Sequence, residues 1–240
     1  MSESTDSAHT TSHLSGYRDS EPVRIGNGAA FHLQFDIYGE LMDGIYLYNK
    51  YGKPITWEQW VAIREILGQY ILLFDTHILL TCADYVLTIW KDPDMSIWEV
   101  RSRKQNYTYS KVMLWVAFDR GLRLAEKRCL PCPNRNAWMA ARDEIYEEIM
   151  TKGRLPCPTF PFHLTLCAGY SPNIRCFVQS YESGDYLDSS ILIAPLVFFI
   201  TPNDPRFLRT MDRILLSPEK GGLTSTGLVY RYDTERVEDG

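Results

Sequence analysis

A basic block, a long apolar run and a cysteine framework are all missing from this chain. Twenty-five Lys and Arg stand against thirty Asp and Glu, a net charge of -5. No cluster of cations is placed to neutralise a run of phosphates, so nucleic acid is not an expected ligand. The longest strongly apolar stretch, GQYILLFDTHILLTCADYV over 68–86, is broken by Asp75 and His77. Its uninterrupted pieces fall far short of the roughly 20 residues that cross a bilayer, and no membrane association is expected. The opening residues, MSESTDSAHTTSHLSGYRDSEPVRI, lack the charged start and apolar stretch of a signal peptide, which makes cytoplasmic the expected address. The six cysteines show no disulfide spacing. Cys129-Leu-Pro-Cys132 has the gap of half a zinc site or of a redox pair, but no second Cys/His pair follows at a ligand-like distance. Ordinary reduced thiols are expected there, with no metal.

What is present is apolar material in helical rhythm. With 45% apolar residues in 240, the chain can bury a sizeable core as one large domain or two small ones. Residues 1–20 are rich in Ser, Thr and His and are predicted to be a disordered tail; residues 21–240 are predicted to be one helical domain. From Ala30, apolar residues recur at Leu33, Ile37, Leu41, Ile45 and Tyr48, the spacing of an amphipathic helix ending near Asn49 to Gly52. Thr56-Trp-Glu-Gln59 has the form of a capping box, and Trp60, Ile63 and Leu67 continue a face behind it.

That face breaks over residues 68–83 and resumes with Val86 and Trp90 in the wrong phase. Sixteen intervening positions rotate a helical stripe by about 160° beyond whole turns. With them removed, Trp60, Ile63, Leu67, Val86 and Trp90 fall three or four apart, so the stretch about 68–83 is read as an insertion into one helix. A second insertion is read at about 155–172, LPCPTFPFHLTLCAGYSP, which has four prolines and little periodicity.

Residues 109–128 are apolar on all sides from Val112 to Phe118, as in a helix covered all round. Residues 136–150 place Trp138, Ala141, Ile145 and Ile149 on one face and end before Gly153. Asn203-Asp-Pro205 supplies a cap and an early proline for a last helix through Phe207, Leu208, Met211, Ile214 and Leu215. Amphipathic helices alternating with fully apolar ones predict an all-α protein built from outer and inner helices.

One carboxylate stands out by context. Glu99 lies in DMSIWEVRSRKQNYTYSK (94–111), between a tryptophan and a cluster of Arg, Lys and Tyr, on a connection between two helices. Loops on a helical scaffold are where catalytic groups usually stand. An isolated Glu of this kind is otherwise a surface carboxylate.

Four ordered blocks carry a resemblance: PVRIGNGAAFHLQFDIYGELMD (22–43), SIWEVRSRKQNYTYSKVMLWVAFDRGLRLAEKR (96–128), CFVQSYES with LDSSILIAPLVFF (176–199), and LTSTGLVYRYDTE (223–235). Together they resemble glycoside hydrolase family 15, that of glucoamylases, glucoamylase-like trehalases and glucodextranases. The resemblance covers most of this chain and about the middle third of a full member. It implies part of an (α/α)6 barrel, a toroid of paired helices, incomplete at both ends and carrying the two insertions. It also implies inverting hydrolysis of terminal α-glucosidic bonds in trehalose or at maltooligosaccharide ends, without a cofactor.

The resemblance maps the family's general acid onto Glu99, and an acid is needed because a sugar oxygen leaves poorly unless protonated as its bond breaks. Trp98 is the apolar neighbour suited to keeping that proton on. Arg231 aligns with an arginine that contacts glucose. Arg101 and Lys111 either donate to sugar hydroxyls or serve in solvation and ion pairs. Tyr107 and Tyr109 either stack on a pyranose or pack beneath the loop. Asp36 and Asp188 either face the cavity or act as caps and buried ion-pair partners. The family's second glutamate lies beyond the VYRYDTE block, so these 240 residues are expected to lack the general base and to be inactive alone. A non-catalytic helical module that binds a sugar or a protein is the alternative.

Overall fold

The computed structural model describes residues 9–11, 13–25, 32–67, 85–100, 103–150 and 169–233. The predicted insertion at 68–83 lies outside the described residues, as does the one at 155–172 except for its last four. The chain divides into two compact units, Met1–Leu33 and Gln34–Gly240.

In the first unit β1 (His9–Thr10) pairs antiparallel with β2 (Arg24–Ile25). The Thr11 amide and hydroxyl both donate to the carbonyl of Val23, at 2.8 and 3.1 Å.

The second unit is helical. Its elements are α1 (Asp36–Tyr51), α2 (Trp57–Leu67), α3 (Tyr85–Ile89), α4 (Thr108–Lys127), α5 (Arg135–Met150) and α6 (Pro205–Ile214). Two minimal hairpins accompany them, β3 (Tyr170–Ser171) with β4 (Cys176–Phe177) and β5 (Thr224–Ser225) with β6 (Leu228–Val229).

The helix ends follow from local chemistry. At α2 the Thr56 amide donates to Gln59 Oε1 at 2.9 Å and the Gln59 amide to Thr56 Oγ1 at 3.3 Å, the reciprocal exchange of a capping box. At α6 Asp204 accepts from the Arg206 amide at 2.8 Å and Pro205 opens the helix, where a missing N–H costs nothing.

Helix α4 is the centre of the core. It is buried on every side from Thr108 to Leu122, and both α1 and α5 pack on it. Helix α5 turns Trp138, Ala141, Ile145 and Ile149 inward, the face its spacing predicted. Arg120, buried in α4, donates to Asp119 at 2.6 Å, to Asp43 of α1 at 2.6 Å and to the Val197 carbonyl at 2.9 Å. A buried guanidinium is tolerated only when its charge and N–H groups are partnered in this way.

Helix α1 departs from its predicted face. Ile37 is 53% exposed, Leu41 42% and Tyr48 52%, whereas Asp36, Gly39, Met42 and Asn49 are buried. The cause is the glycine. A Cβ at Gly39 would fall 2.0 Å from the Met113 carbonyl oxygen, so α1 meets α4 backbone to backbone, and a stripe count weighted by apolar side chains cannot register such a crossing.

Candidate functional site

The connection that bears Glu99 runs from Asp94 to Tyr107 and is closed at its base. Asp94 and Gln105 exchange backbone hydrogen bonds, both 3.0 Å. The Asp94 carboxylate is buried and accepts from the Phe35 amide at 2.9 Å and from Ser110 Oγ at 2.7 Å. It therefore ties the start of α1, the base of the loop and the first turn of α4. Burial raises its pKa, and the bonds from Phe35, Ser110 and Ser96 oppose the rise. The far side is held by the 176–188 segment: Thr108 donates to the Gln179 carbonyl at 2.9 Å, Tyr181 to the Asn106 carbonyl at 3.0 Å, and Ser180 Oγ to Gln105 Oε1 at 2.6 Å.

Within this frame residues 95–100 fold into a tight turn. The Glu99 amide donates to the Ser96 carbonyl at 3.1 Å and the Val100 amide to Met95 at 3.0 Å. Ser96 and Glu99 take positive φ, 64° and 52°, a conformation that disfavours residues with a Cβ and recurs at functional sites. Sequence explains the arrangement. Val100 is fully buried against Tyr107 and Tyr232 with Trp98 packed beside them, so both neighbours of Glu99 turn inward while Glu99 itself is an exposed residue.

The other predicted residues fall into two groups. Trp98 is half-buried; its Nε1–H donates to both oxygens of Asp188, at 3.1 Å each, and its ring meets Tyr232 edge-on with centroids 6.4 Å apart. Arg231 is exposed and stacks its guanidinium 4.9 Å over the Tyr232 ring. Trp98 and Arg231 thus both meet the Tyr232 ring, and Glu99 follows Trp98 in the chain. Arg101 lies outside the described residues.

Tyr109 and Lys111 have their donors engaged within the protein. Tyr109 Oη donates to Glu40 Oε1 at 2.9 Å. Lys111 is buried, and its ammonium donates to the carbonyls of Trp90 and Asp92, pinning the connection that follows α3. Burial depresses the Lys111 pKa to about 8 against the pull of Glu148 and Asp94. Tyr107 is buried in the ring cluster. Asp188 caps the 3-10 helix Ser189–Ile193 through the Ser190 amide at 2.8 Å.

Asp36 is buried, its pKa pushed up to about 7 by burial and by the nearby charges of Glu40 and Asp94. The structuring roles of Asp94, Gln105 and Gln179 have no signature in the sequence, because each acts through contacts with residues distant along the chain.

A cavity of about 510 Å³ opens between α1 and α2, lined by Glu40, Leu41, Gly44, Ile45, Tyr48, Ile55, Gln59, Ala62 and Ile63. It contains none of the predicted residues, and its walls offer few partners for the hydroxyls of a sugar. Among the described residues no cluster of His, Cys, Asp and Glu is arranged to hold a metal ion, and no helix is long and apolar enough to cross a membrane. Cys129, Cys132 and Cys176 stand as thiols.

The family model of glycosyl hydrolases family 15 matches residues 1–240. The chain belongs to that family. This family-15 chain is 36% identical over 199 residues to a trehalase of Thermoplasma acidophilum, covering 83% of the chain and 28% of that relative. It is 34% identical over 228 residues to a trehalase of Mycobacterium tuberculosis, covering 95% of the chain and 28% of the relative. The chain thus spans about 28% of the length of these curated relatives. Its fold is similar to that of a glycosidase solved in complex with glucose, with a TM-score of 0.59 at 15% identity over 86% of this chain and 44% of that one. The helix-rich architecture is consistent with a family-15-like helical fold.

Proposed function

We propose that these 240 residues form part of an (α/α)6 glycosidase barrel and carry the acid half of an inverting α-glucosidase site. In this role Glu99 protonates the departing glucosyl oxygen. Arg231 and Arg101 hold the glucose through hydroxyl-directed hydrogen bonds, with Trp98 beside them, while Lys111 pins the connection after α3 and Tyr109 bonds Glu40 of α1. Trehalose is the preferred substrate, since the relatives at 34 and 36% identity are trehalases; maltooligosaccharide ends come second.

The observation that carries the proposal is the Trp98–Tyr232 ring contact. It brings the residue before Glu99 against the residue after Arg231, two blocks more than a hundred positions apart in the sequence.

Inversion needs a second carboxylate across the sugar, roughly 6.5–9.5 Å from the acid, to activate water. On this proposal that group is not supplied by the 240 residues, and they bind trehalose without turning it over. Sodium azide can stand in for the activated water. Azide attacks the anomeric carbon from the face opposite the leaving glucose, the C–O bond breaks, and the Glu99 proton passes to the departing oxygen. Incubation with trehalose and azide is expected to yield β-glucosyl azide and glucose in equal amounts, and Glu99→Gln to abolish both. Absence of azide-dependent cleavage together with no calorimetric binding of trehalose would overturn the proposal.

A further inference from the structure

Asp188 does more than an N-cap requires. It is 4% exposed, and a buried carboxylate is costly unless several donors face it. Oδ1 accepts from the Ser190 amide at 2.8 Å, from Ser190 Oγ at 2.6 Å and from Trp98 Nε1 at 3.1 Å. Oδ2 accepts from the same Trp98 N–H at 3.1 Å and from Gln179 Nε2 at 3.4 Å. Capping uses Oδ1 alone; the indole N–H is shared by both oxygens and Gln179 donates to Oδ2.

The backbone here is also committed. Asp188 forms an antiparallel bridge with Tyr232, and the Ser189 amide and hydroxyl donate to the Arg231 carbonyl at 2.8 and 3.1 Å. Two consecutive residues therefore hold both sides of the candidate site. The Asp188 side chain reaches Trp98, beside Glu99, and the backbone of Asp188 and Ser189 fixes the segment that carries Arg231.

We infer that Asp188 is a positioning residue for the glucoside site: its carboxylate fixes the plane of the Trp98 indole, and through Trp98 the turn that aims Glu99, in register with Arg231. This rests on the glucoside reading given above. The indole can rotate about its side-chain torsions unless its one N–H is held, and here that N–H is shared between the two oxygens of a buried carboxylate, a charged acceptor stronger than a neutral one.

The test uses the 240-residue chain and two readouts. The first is the indole N–H resonance of Trp98 in ¹H–¹⁵N spectra, assigned by its loss in Trp98→Phe. The second is trehalose affinity by calorimetry. Asp188→Ala is expected to shift the Trp98 resonance, speed its solvent exchange and weaken trehalose binding roughly tenfold, the loss expected for one hydrogen bond to a charged group. Asp188→Asn, which keeps one accepting oxygen and the folded shape, is expected to lie between. In a Trp98→Phe background Asp188→Asn is expected to cause no further loss, because the two residues act as one unit. Ser190→Ala removes a cap donor and is expected to leave the Trp98 resonance in place.

The inference is overturned if Asp188→Asn and Asp188→Ala leave the Trp98 resonance and its exchange unchanged, or if their effects on affinity add to that of Trp98→Phe. A chain that binds no trehalose at all refutes the glucoside reading and this inference with it. The resonance then still shows whether Asp188 holds the indole, so the two failures remain distinct.

Discussion

Gly39 of α1 lies directly against the backbone of Met113 in α4, so close that a methyl group in its place would sit 2.0 Å from a carbonyl oxygen. No side-chain rotation relieves a clash with backbone, and the two helices would have to part. Gly39→Ala is therefore expected to destabilise the chain by about 2–4 kcal/mol, at the upper end of overpacking effects. Urea unfolding followed by circular dichroism measures the change. An unfolding midpoint equal to that of the parent chain would refute the close crossing.

Asp36 sets a pH dependence. Its pKa rises from 3.8 in the unfolded chain to about 7 in the fold, so the folded state binds more protons between those values. Stability from this group is greatest below about pH 4 and falls as pH rises toward 7, then levels off. Asp36→Asn is expected to flatten that slope and to be more stable than the parent at pH 8, by a few kcal/mol at most. Unfolding midpoints of the two proteins from pH 4 to 8 decide it; parallel curves would count against a buried, protonated Asp36.

Lys111 has the opposite sign. Its pKa drops from 10.5 to about 8, so the folded state binds fewer protons across that interval and stability rises with pH through it. Lys111→Met removes the rise. It also leaves the Trp90 and Asp92 carbonyls without their donor, and a loss of about 1–3 kcal/mol is expected at pH 7. The check is whether the chain's stability gain between pH 8 and 10 disappears in the variant.

Glu99 combines strain with its proposed role. Its φ of 52° suits glycine, and relieving a left-handed backbone at a residue with a Cβ is worth about 1–2 kcal/mol. Part of that is offset by the extra freedom of glycine in the unfolded chain. Glu99→Gly is expected to be as stable as the parent or slightly more so, while azide-dependent cleavage of trehalose is lost. A marked drop in thermal midpoint would mean that the glutamate side chain holds the turn.

Local chemistry was the legible part of this fold. The Thr56–Gln59 box, the Asp204-Pro205 start and the buried face of α5 were each readable, because a cap or a 3.6-residue stripe is written in neighbouring letters. The face of α1 was not, since Gly39 contributes nothing to an apolar pattern yet decides which side meets α4. The site divides in the same way. Trp98-Glu99 and Arg231 are candidates through the family blocks alone, but Asp94, whose partners are Phe35 at the cap of α1 and Ser110 in α4, has no local mark. The engagement of Lys111 with carbonyls of the α3 connection was equally hidden, because a lysine destined for burial reads like one destined for solvent.

The Asp94 tie has a kinetic consequence. One carboxylate joins the entrance of α1, the first turn of α4 and the root of the turn that carries Glu99. A hinge needs one edge to let go while another stays fixed, and these three are fastened at a single point. The glutamate-bearing turn is thus expected to release all at once or not at all, so that on the proposed function it meets a ligand as a rigid anvil rather than as a flap that closes over one.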